Sequence, residues 1–233
     1  MQNINDNIMK VFQDVRDICK KTGKDPDSIT VIAVTKTVDT DRMNNAIECG
    51  ITNIGENKVQ EIMAKYENVK SNVKWHMIGH LQTNKVKYII DKVALIHSVD
   101  STELAKEISR RAEKLGRVQD VLVQVNVANE ETKFGIDYSE IDSFINEISK
   151  YEGLRVKGLM TIAPNYEDRE LVRPVFRKLR EKFEMLAKAG IPNVEMKFLS
   201  MGMTNDYKIA VEEGSNMIRV GTGIFGKRNY NII

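Results

Sequence analysis

Residues 31–36, V-I-A-V-T-K, form an apolar run that ends on Lys36, and residues 217–226, M-I-R-V-G-T-G-I-F-G, carry Arg219, Gly221 and Thr222 far along the chain. A lysine amine at the mouth of an apolar strand can condense with an aldehyde to give a Schiff base. Glycine-rich backbone beside hydroxyl side chains, here Thr222 and the Ser200 of F-L-S-M-G-M (198–203), can turn N–H groups toward an anion such as phosphate. The pairing points to a phosphorylated aldehyde. Each half also has a local reading: Lys36 as a solvated strand end, and G-T-G as a turn, where glycine is the default.

Two further segments carry polar residues just past apolar runs. In G-E-N (55–57), Asn57 suits either a ligand or a helix N-cap. In W-H-M-I-G-H-L-Q-T-N-K (75–85), His76 and His80 are four apart around a glycine rather than on a continuous helix, which argues against a shared metal and for a structural or ligand-edge role. The H-E-x-x-H, P-loop and G-x-S-x-G fingerprints are all missing, which removes most hydrolase and nucleotidase readings.

The elements that must position these residues follow from periodicity. Apolar residues Ile4, Ile8, Val11, Phe12, Val15 and Ile18 share one face of a helix over 3–21. Eight short apolar runs then read as strands, at 29–34, 53–54, 74–78, 95–99, 121–125, 156–160, 196–199 and 217–220. Between them helical patterns fall at 41–49, 56–66, 83–90, 102–115, 140–150, 168–189 and 205–213, the sign of βα units and a parallel sheet. Pattern alone also allows an open doubly wound sheet with fewer strands. Polar residues cluster just after the strands: Lys36, Glu56, Asn57, His80, Asp100, Asn126, Thr161, Ser200 and Arg219. In a (β/α)₈ barrel those strand ends share one face, where sites are built. The irregular stretch 126–138, N-V-A-N-E-E-T-K-F-G-I-D-Y, is placed to fold over that mouth.

Composition sets the remaining bounds. The 233 residues fit one barrel domain spanning 1–233, and no Pro- or Ser/Gly-rich linker divides them. Lys and Arg total 35 against 33 Asp and Glu, interspersed, so no like-charge block points to nucleic acid. Cys19 and Cys49 form no C-x-x-C pair, which fits a reducing compartment. With no leader pattern and no membrane-length apolar run, a cytoplasmic protein without membrane association is expected.

Six ordered segments carry a family resemblance: 31–36, I-G-E-N-K-V-Q-E (54–61), 75–85, G-L-M-T-I-A (158–163), L-S-M-G-M-T-N-D-Y (199–207) and I-R-V-G-T-G-I-F-G (218–226). Together, over roughly residues 3–230, the chain resembles the pyridoxal 5′-phosphate (PLP) homeostasis proteins. The resemblance implies an α/β fold, a single TIM barrel of the alanine racemase N-terminal domain type (PLP fold-type III) with an extra N-terminal helix. It implies PLP held covalently on Lys36, with Ser200, Gly221 and Thr222 around the phosphate, Arg219 against the pyridine nitrogen, and Asn57 and His80 among the cofactor contacts. Thr35 and Thr204 stand where serine is common in the family, and Lys58 where an aromatic is frequent.

An arginine at the ring nitrogen keeps that nitrogen unprotonated and makes the ring a poorer electron sink. Racemases of this fold add a second domain and a tyrosine base from a partner subunit, whereas this chain ends a few residues past its last motif. The expectation is therefore a monomeric carrier or store of PLP without strong catalysis of its own, with apo PLP-dependent enzymes as recipients. The competing readings are a fold-type III enzyme such as an amino-acid racemase, whose second acid/base would have to be His80, Tyr207 or a residue of 126–138, and a Schiff-base aldolase that uses no PLP.

Overall fold

A computed structural model describes residues 3–70 and 72–226. Helix α1 (Ile4–Thr22) starts on an Asn3 cap, whose side chain accepts from the Asn5 N–H, and stops at Gly23 in the left-handed region. It buries the face made by Ile8, Val11, Val15, Ile18 and Cys19, each side chain worth about 1.5–3 kcal/mol when fully removed from water. Strand β1 (Thr30–Val34), helix α2 (Thr40–Glu48), β2 (Asn53–Glu56), α3 (Val59–Lys65), β3 (Lys74–Met77) and β4 (Leu95–Val99) follow. Then come α4 (Thr102–Lys114), β5 (Gln119–Asn126), β6 (Ile136–Asp137), α5 (Ile141–Ile148), β7 (Leu154–Met160), α6 (Arg173–Lys188), β8 (Val194–Met203), α7 (Tyr207–Glu212), β9 (Met217–Val220) and α8 (Thr222–Phe225).

The nine strands among the described residues form one sheet in the order β4-β3-β2-β1-β9-β8-β7-β5-β6, with β4 also paired to β5. The two-residue β6 pairs with β5 at its end, so the other eight close a parallel ring, the expected (β/α)₈ barrel. An open sheet is thereby set aside. Period-2 alternation sends one residue set inward, where Ile32, Leu95, Leu122, Met160 and Met217 fill the lumen, and the other toward the helices. Gly158 is required at its place on β7: its φ is +146°, and a Cβ there would lie 1.8 Å from the Phe198 carbonyl oxygen of β8.

Several boundaries differ from the periodicity reading. The seventh main-sheet strand runs Val194–Met203 rather than 196–199, because its first half alternates partly buried and exposed side chains and gives only a weak apolar signal. The helix expected over 56–66 begins at Val59, since Glu56 still belongs to β2, and 83–90 forms a 3₁₀ segment, Thr83–Tyr88. The N-terminal helix packs against α7 and α8. Asn7 Nδ2 donates to Ile224 O at 2.9 Å, and Tyr207 Oη donates to Asp14 at 2.6 Å. Cys19 and Cys49 are both free thiols. Among the described residues no helix is long and apolar enough to cross a membrane, and no cluster of His, Cys, Asp or Glu is arranged to hold a metal ion.

Candidate cofactor site

Lys36 follows β1 directly, and its flanking backbone is clamped from the helix side. Parallel pairing sets Val34 beside Gly55, which brings Thr35 to Glu56: Thr35 Oγ1 donates to Glu56 Oε1 at 2.7 Å. Lys65 Nζ, one helix away, donates to Glu56 Oε1 (2.8 Å), Glu61 Oε2 (2.7 Å) and the Thr35 carbonyl (2.9 Å). Glu61 also accepts the Thr37 N–H at 2.7 Å, which holds Thr37 at φ +62°, a conformation uncommon outside glycine. Both peptide neighbours of Lys36 are therefore fixed. Burial drives the Glu56 carboxyl up, with Lys65 and Thr35 pulling it back. Burial would raise Glu61 as well, but its bonds from Lys65 and Thr37 win and bring it down.

Lys36 opens onto a cleft of about 200 Å³ at the C-terminal ends of the strands, lined also by Val34, Met203, Thr204, Asp206, Arg219, Gly221 and Thr222. Thr204 Oγ1 accepts the N–H groups of Gly221 (3.3 Å) and Gly223 (3.2 Å). With both acceptor positions of that hydroxyl used, its proton remains to donate. A Cβ on Gly223 would come within 2.8 Å of Val220 Cγ1 and 3.2 Å of Thr204 Cγ2, so the turn is tight as well as polar. Asn7 and Arg42 hold the carbonyls of Ile224 and Phe225 behind it.

Arg219 reaches the cleft from β9. Its Nη1 donates to Ser200 Oγ at 2.6 Å and its Nη2 to the Thr161 carbonyl at 2.8 Å. Burial draws the guanidinium down to about 10, still far enough above neutrality to stay cationic. Asp206 lines the same cleft, its carboxyl raised by burial although it accepts the Met203 N–H.

The seven residues expected at the site thus fall into three places. Lys36, Arg219, Gly221 and Thr222 share the cleft. Asn57 and His80 line a second cleft of about 460 Å³ with Lys58, Gln60, Gln82 and Lys85. There His80 stacks on Phe134 of the 126–138 stretch, ring centroids 4.0 Å apart, and its Nδ1 lies 3.7 Å from Asp100. Ser200 is fully buried beneath the cleft, its hydroxyl bonded to Arg219 and His97. Thr204 is the hydroxyl that faces the cleft, and sequence reasoning noted it only as a family departure. Its place in M-T-N-D, just past the end of β8, was the available signal.

The donor set fits a phosphorylated aldehyde ring. Thr204 and Thr222 offer hydroxyl groups to a phosphate beside the Gly221–Gly223 turn, Arg219 offers a buried cation, and Lys36 offers an amine. Asn57 Oδ1 is buried without a hydrogen-bond partner, the kind of acceptor that a ligand O–H satisfies.

Fold and cleft define a barrel of the alanine racemase N-terminal domain class, and that family's profile matches residues 11–229. A pyridoxal phosphate homeostasis protein of Aquifex aeolicus is 42% identical over 229 residues, covering 98% of this chain and all of that protein. A crystal structure of an unknown protein from Bifidobacterium adolescentis superimposes with a TM-score of 0.90 at 35% identity, over 95% of this chain and 94% of that one. PipY of Synechococcus elongatus, solved with PLP bound, gives 0.79 at 31% identity over 91% and 100%. The chain belongs to the pyridoxal phosphate homeostasis protein family.

Proposed function

We propose that this chain, as one barrel unit, binds PLP through Lys36 and stores or delivers it, with apo PLP-dependent enzymes as recipients. The observation that carries the reading is the convergence of Lys36, Arg219 and the Thr204–Gly221–Thr222 turn on one cleft. Lys36 Nζ would condense with the ligand aldehyde, forming a C=N bond and releasing water, and the linkage is reversible by hydrolysis. The Thr204 and Thr222 hydroxyls, set beside the Gly221–Gly223 turn, would hold the phosphate, with Thr204 donating its hydroxyl proton. Arg219, cationic and hydrogen-bonded to neutral acceptors, would keep the ring nitrogen unprotonated, which suits retention better than carbanion chemistry. PLP itself supplies the electrophilic aldehyde. The PLP-bound PipY relative supports this choice of ligand.

The racemase reading needs a second acid/base over the cleft. Tyr207 does not serve, because its hydroxyl is bonded to Asp14 under α1 and raised by burial and by that carboxylate. His80 lines the other cleft.

Absorbance before and after borohydride, with peptide mapping, tests ligand and lysine together. The expected result is a visible band in the wild type that borohydride abolishes, with the label on the Lys36 peptide. A reducible band persisting in Lys36→Ala would refute the assignment. Delivery is tested by mixing loaded protein with an apo PLP enzyme and timing its activation; no transfer beyond the free-PLP control would refute the carrier role.

A further inference from the structure

Five polar side chains cross the lumen of the barrel in one hydrogen-bonded line. Arg219 Nη1 bonds Ser200 Oγ (2.6 Å), Ser200 Oγ bonds His97 Nδ1 (3.1 Å), His97 Nε2 bonds His76 Nδ1 (2.9 Å), and His76 Nε2 bonds Asn53 Oδ1 (3.0 Å). Asn53 Nδ2 donates to Thr52 Oγ1 at 3.0 Å, which turns the amide so that its oxygen meets His76. The amide oxygen at one end only accepts, so His76 Nε2 carries a proton. Burial keeps both imidazoles neutral, holding His76 down to about 3 and His97 well below its ordinary value. His76 Nδ1 is then bare and accepts from His97 Nε2, and His97 Nδ1 is bare and accepts the Ser200 proton, so each bond points the same way: Arg219 to Ser200 to His97 to His76 to Asn53.

The line reaches from β2, β3 and β4 across to β8 and β9, with His97 and Arg219 on the same inward face as Leu95 and Met217, two residues earlier in their strands. His76, His97, Ser200 and Arg219 are all buried. Apolar side chains would fill this space at lower desolvation cost, as Ile32, Leu122 and Met160 do nearby. What the line adds is a row of aligned dipoles whose negative ends face the guanidinium, reinforcing one another in a low-dielectric interior. Arg219 is thereby stabilised as a cation by neutral groups, in addition to the charge of Asp206 in the same cleft.

We propose that His97 and His76, acting through Ser200, are positioning residues that hold Arg219 in orientation and charge at the ring-binding end of the cleft. This rests on the PLP reading of that cleft. It gives the site an arginine whose positive charge is not cancelled by a carboxylate bonded to it and stays directed at the ligand.

The test compares His97→Leu, His97→Asn and Ser200→Ala, with Leu122→Ala as a lumen control outside the line. His97→Leu is expected to weaken PLP retention about tenfold, in the range seen when a supporting partner is removed, and to shift the visible band of bound PLP. His97→Asn, whose side-chain oxygen can take the Ser200 proton, should restore both. Ser200→Ala should match His97→Leu, and the double variant should lose no more than either alone. Leu122→Ala should lower Tm without moving the band. Wild-type band and affinity in both His97→Leu and Ser200→Ala would overturn the proposal; should His97→Leu not fold, the same result in Ser200→Ala alone would do so. Independently, ¹⁵N NMR of cofactor-free protein should show both imidazoles with Nε2 protonated and Nδ1 bare, and an Nδ1–H form of either would also overturn it. Failure of the wild type to take up PLP would instead defeat the cofactor reading, and it is distinguishable because the tautomers are read without PLP.

Discussion

Replacing Lys65 by Met keeps the side-chain volume but removes the cation that three acceptors share. Glu56, 0% exposed, would retain only the Thr35 hydroxyl on Oε1, and its Oε2 already has no partner. Lys65 is itself only 12% exposed, so the pair is screened little by solvent. Removing one partner of a buried pair costs about 3–5 kcal/mol; at about 2–4 °C per kcal/mol for a chain of this size, the lower figure corresponds to roughly 6–12 °C in Tm. The loss must depend on pH. Glu56 is already raised from 4.5 by burial, so across the window above 4.5 the folded state binds more protons than the unfolded state, and stability falls as pH rises through it. Without Lys65 the carboxyl rises further and the window extends upward. The deficit relative to wild type should therefore be largest near pH 8 and smallest near pH 5, and adding Glu56→Gln should recover most of it. Thermal unfolding followed by circular dichroism across this range decides the matter: a deficit that is flat with pH, or larger at pH 5, refutes the reasoning.

Other outcomes follow from the same geometry. His76, held at about 3 against an ordinary 6.5, stays neutral in the fold while the unfolded chain takes up a proton. Stability should then fall as pH drops through 6.5, by about 2 kcal/mol at pH 5 for this residue, with His97 adding to it; denaturant unfolding at pH 7 and pH 5, in wild type and His76→Gln, measures it. Gly158→Ala places a methyl 1.8 Å from the Phe198 oxygen at φ +146° and should cost more than about 3 kcal/mol or prevent folding, read as loss of soluble cooperative unfolding. Thr204→Val removes the hydroxyl that accepts from Gly221 and Gly223 and should weaken PLP affinity by about tenfold, one lost buried hydrogen bond to a charged group, while leaving the Lys36 linkage reducible.

The barrel was legible because its strands are apolar and its polar residues stand just past them. Lys36, Arg219, Gly221 and Thr222 could be placed because each immediately follows or ends a strand, where pattern and position coincide. Ser200 was read as a phosphate contact from its place near the end of β8, but the strand continues to Met203, and alternation turns Ser200 into the lumen and leaves Thr204 at the mouth. His97 drew no attention because L-I-H-S-V reads as an ordinary strand. Its partners lie 21 and 103 residues away in sequence, a relation that only barrel closure creates. The clamp on Lys36 was hidden for the same reason: Lys65 and Glu61 belong to the helical pattern over 56–66, and only the pairing of β1 with β2 brings Thr35 and Glu56 to them.

Among the described residues, the ionisable groups that line the cleft with Lys36 and Arg219 are Arg169 and Asp206, and this narrows how an enzyme could be built here. Both arginines are poor proton carriers, and His76 and His97 are buried with their protons committed to Asn53 and His76 respectively. Of these, Asp206 has a titratable carboxyl, raised by burial, so two-base racemisation by the described residues of this cleft would have to use it with Lys36. Asp206→Asn keeps an acceptor for the Met203 N–H and removes the acid/base function. For a carrier, wild type and Asp206→Asn should both take up PLP and activate an apo-enzyme at comparable rates, with no amino-acid turnover by either. Racemisation by wild-type protein that both Asp206→Asn and Lys36→Ala abolish would overturn the carrier reading and identify Asp206 as the second base.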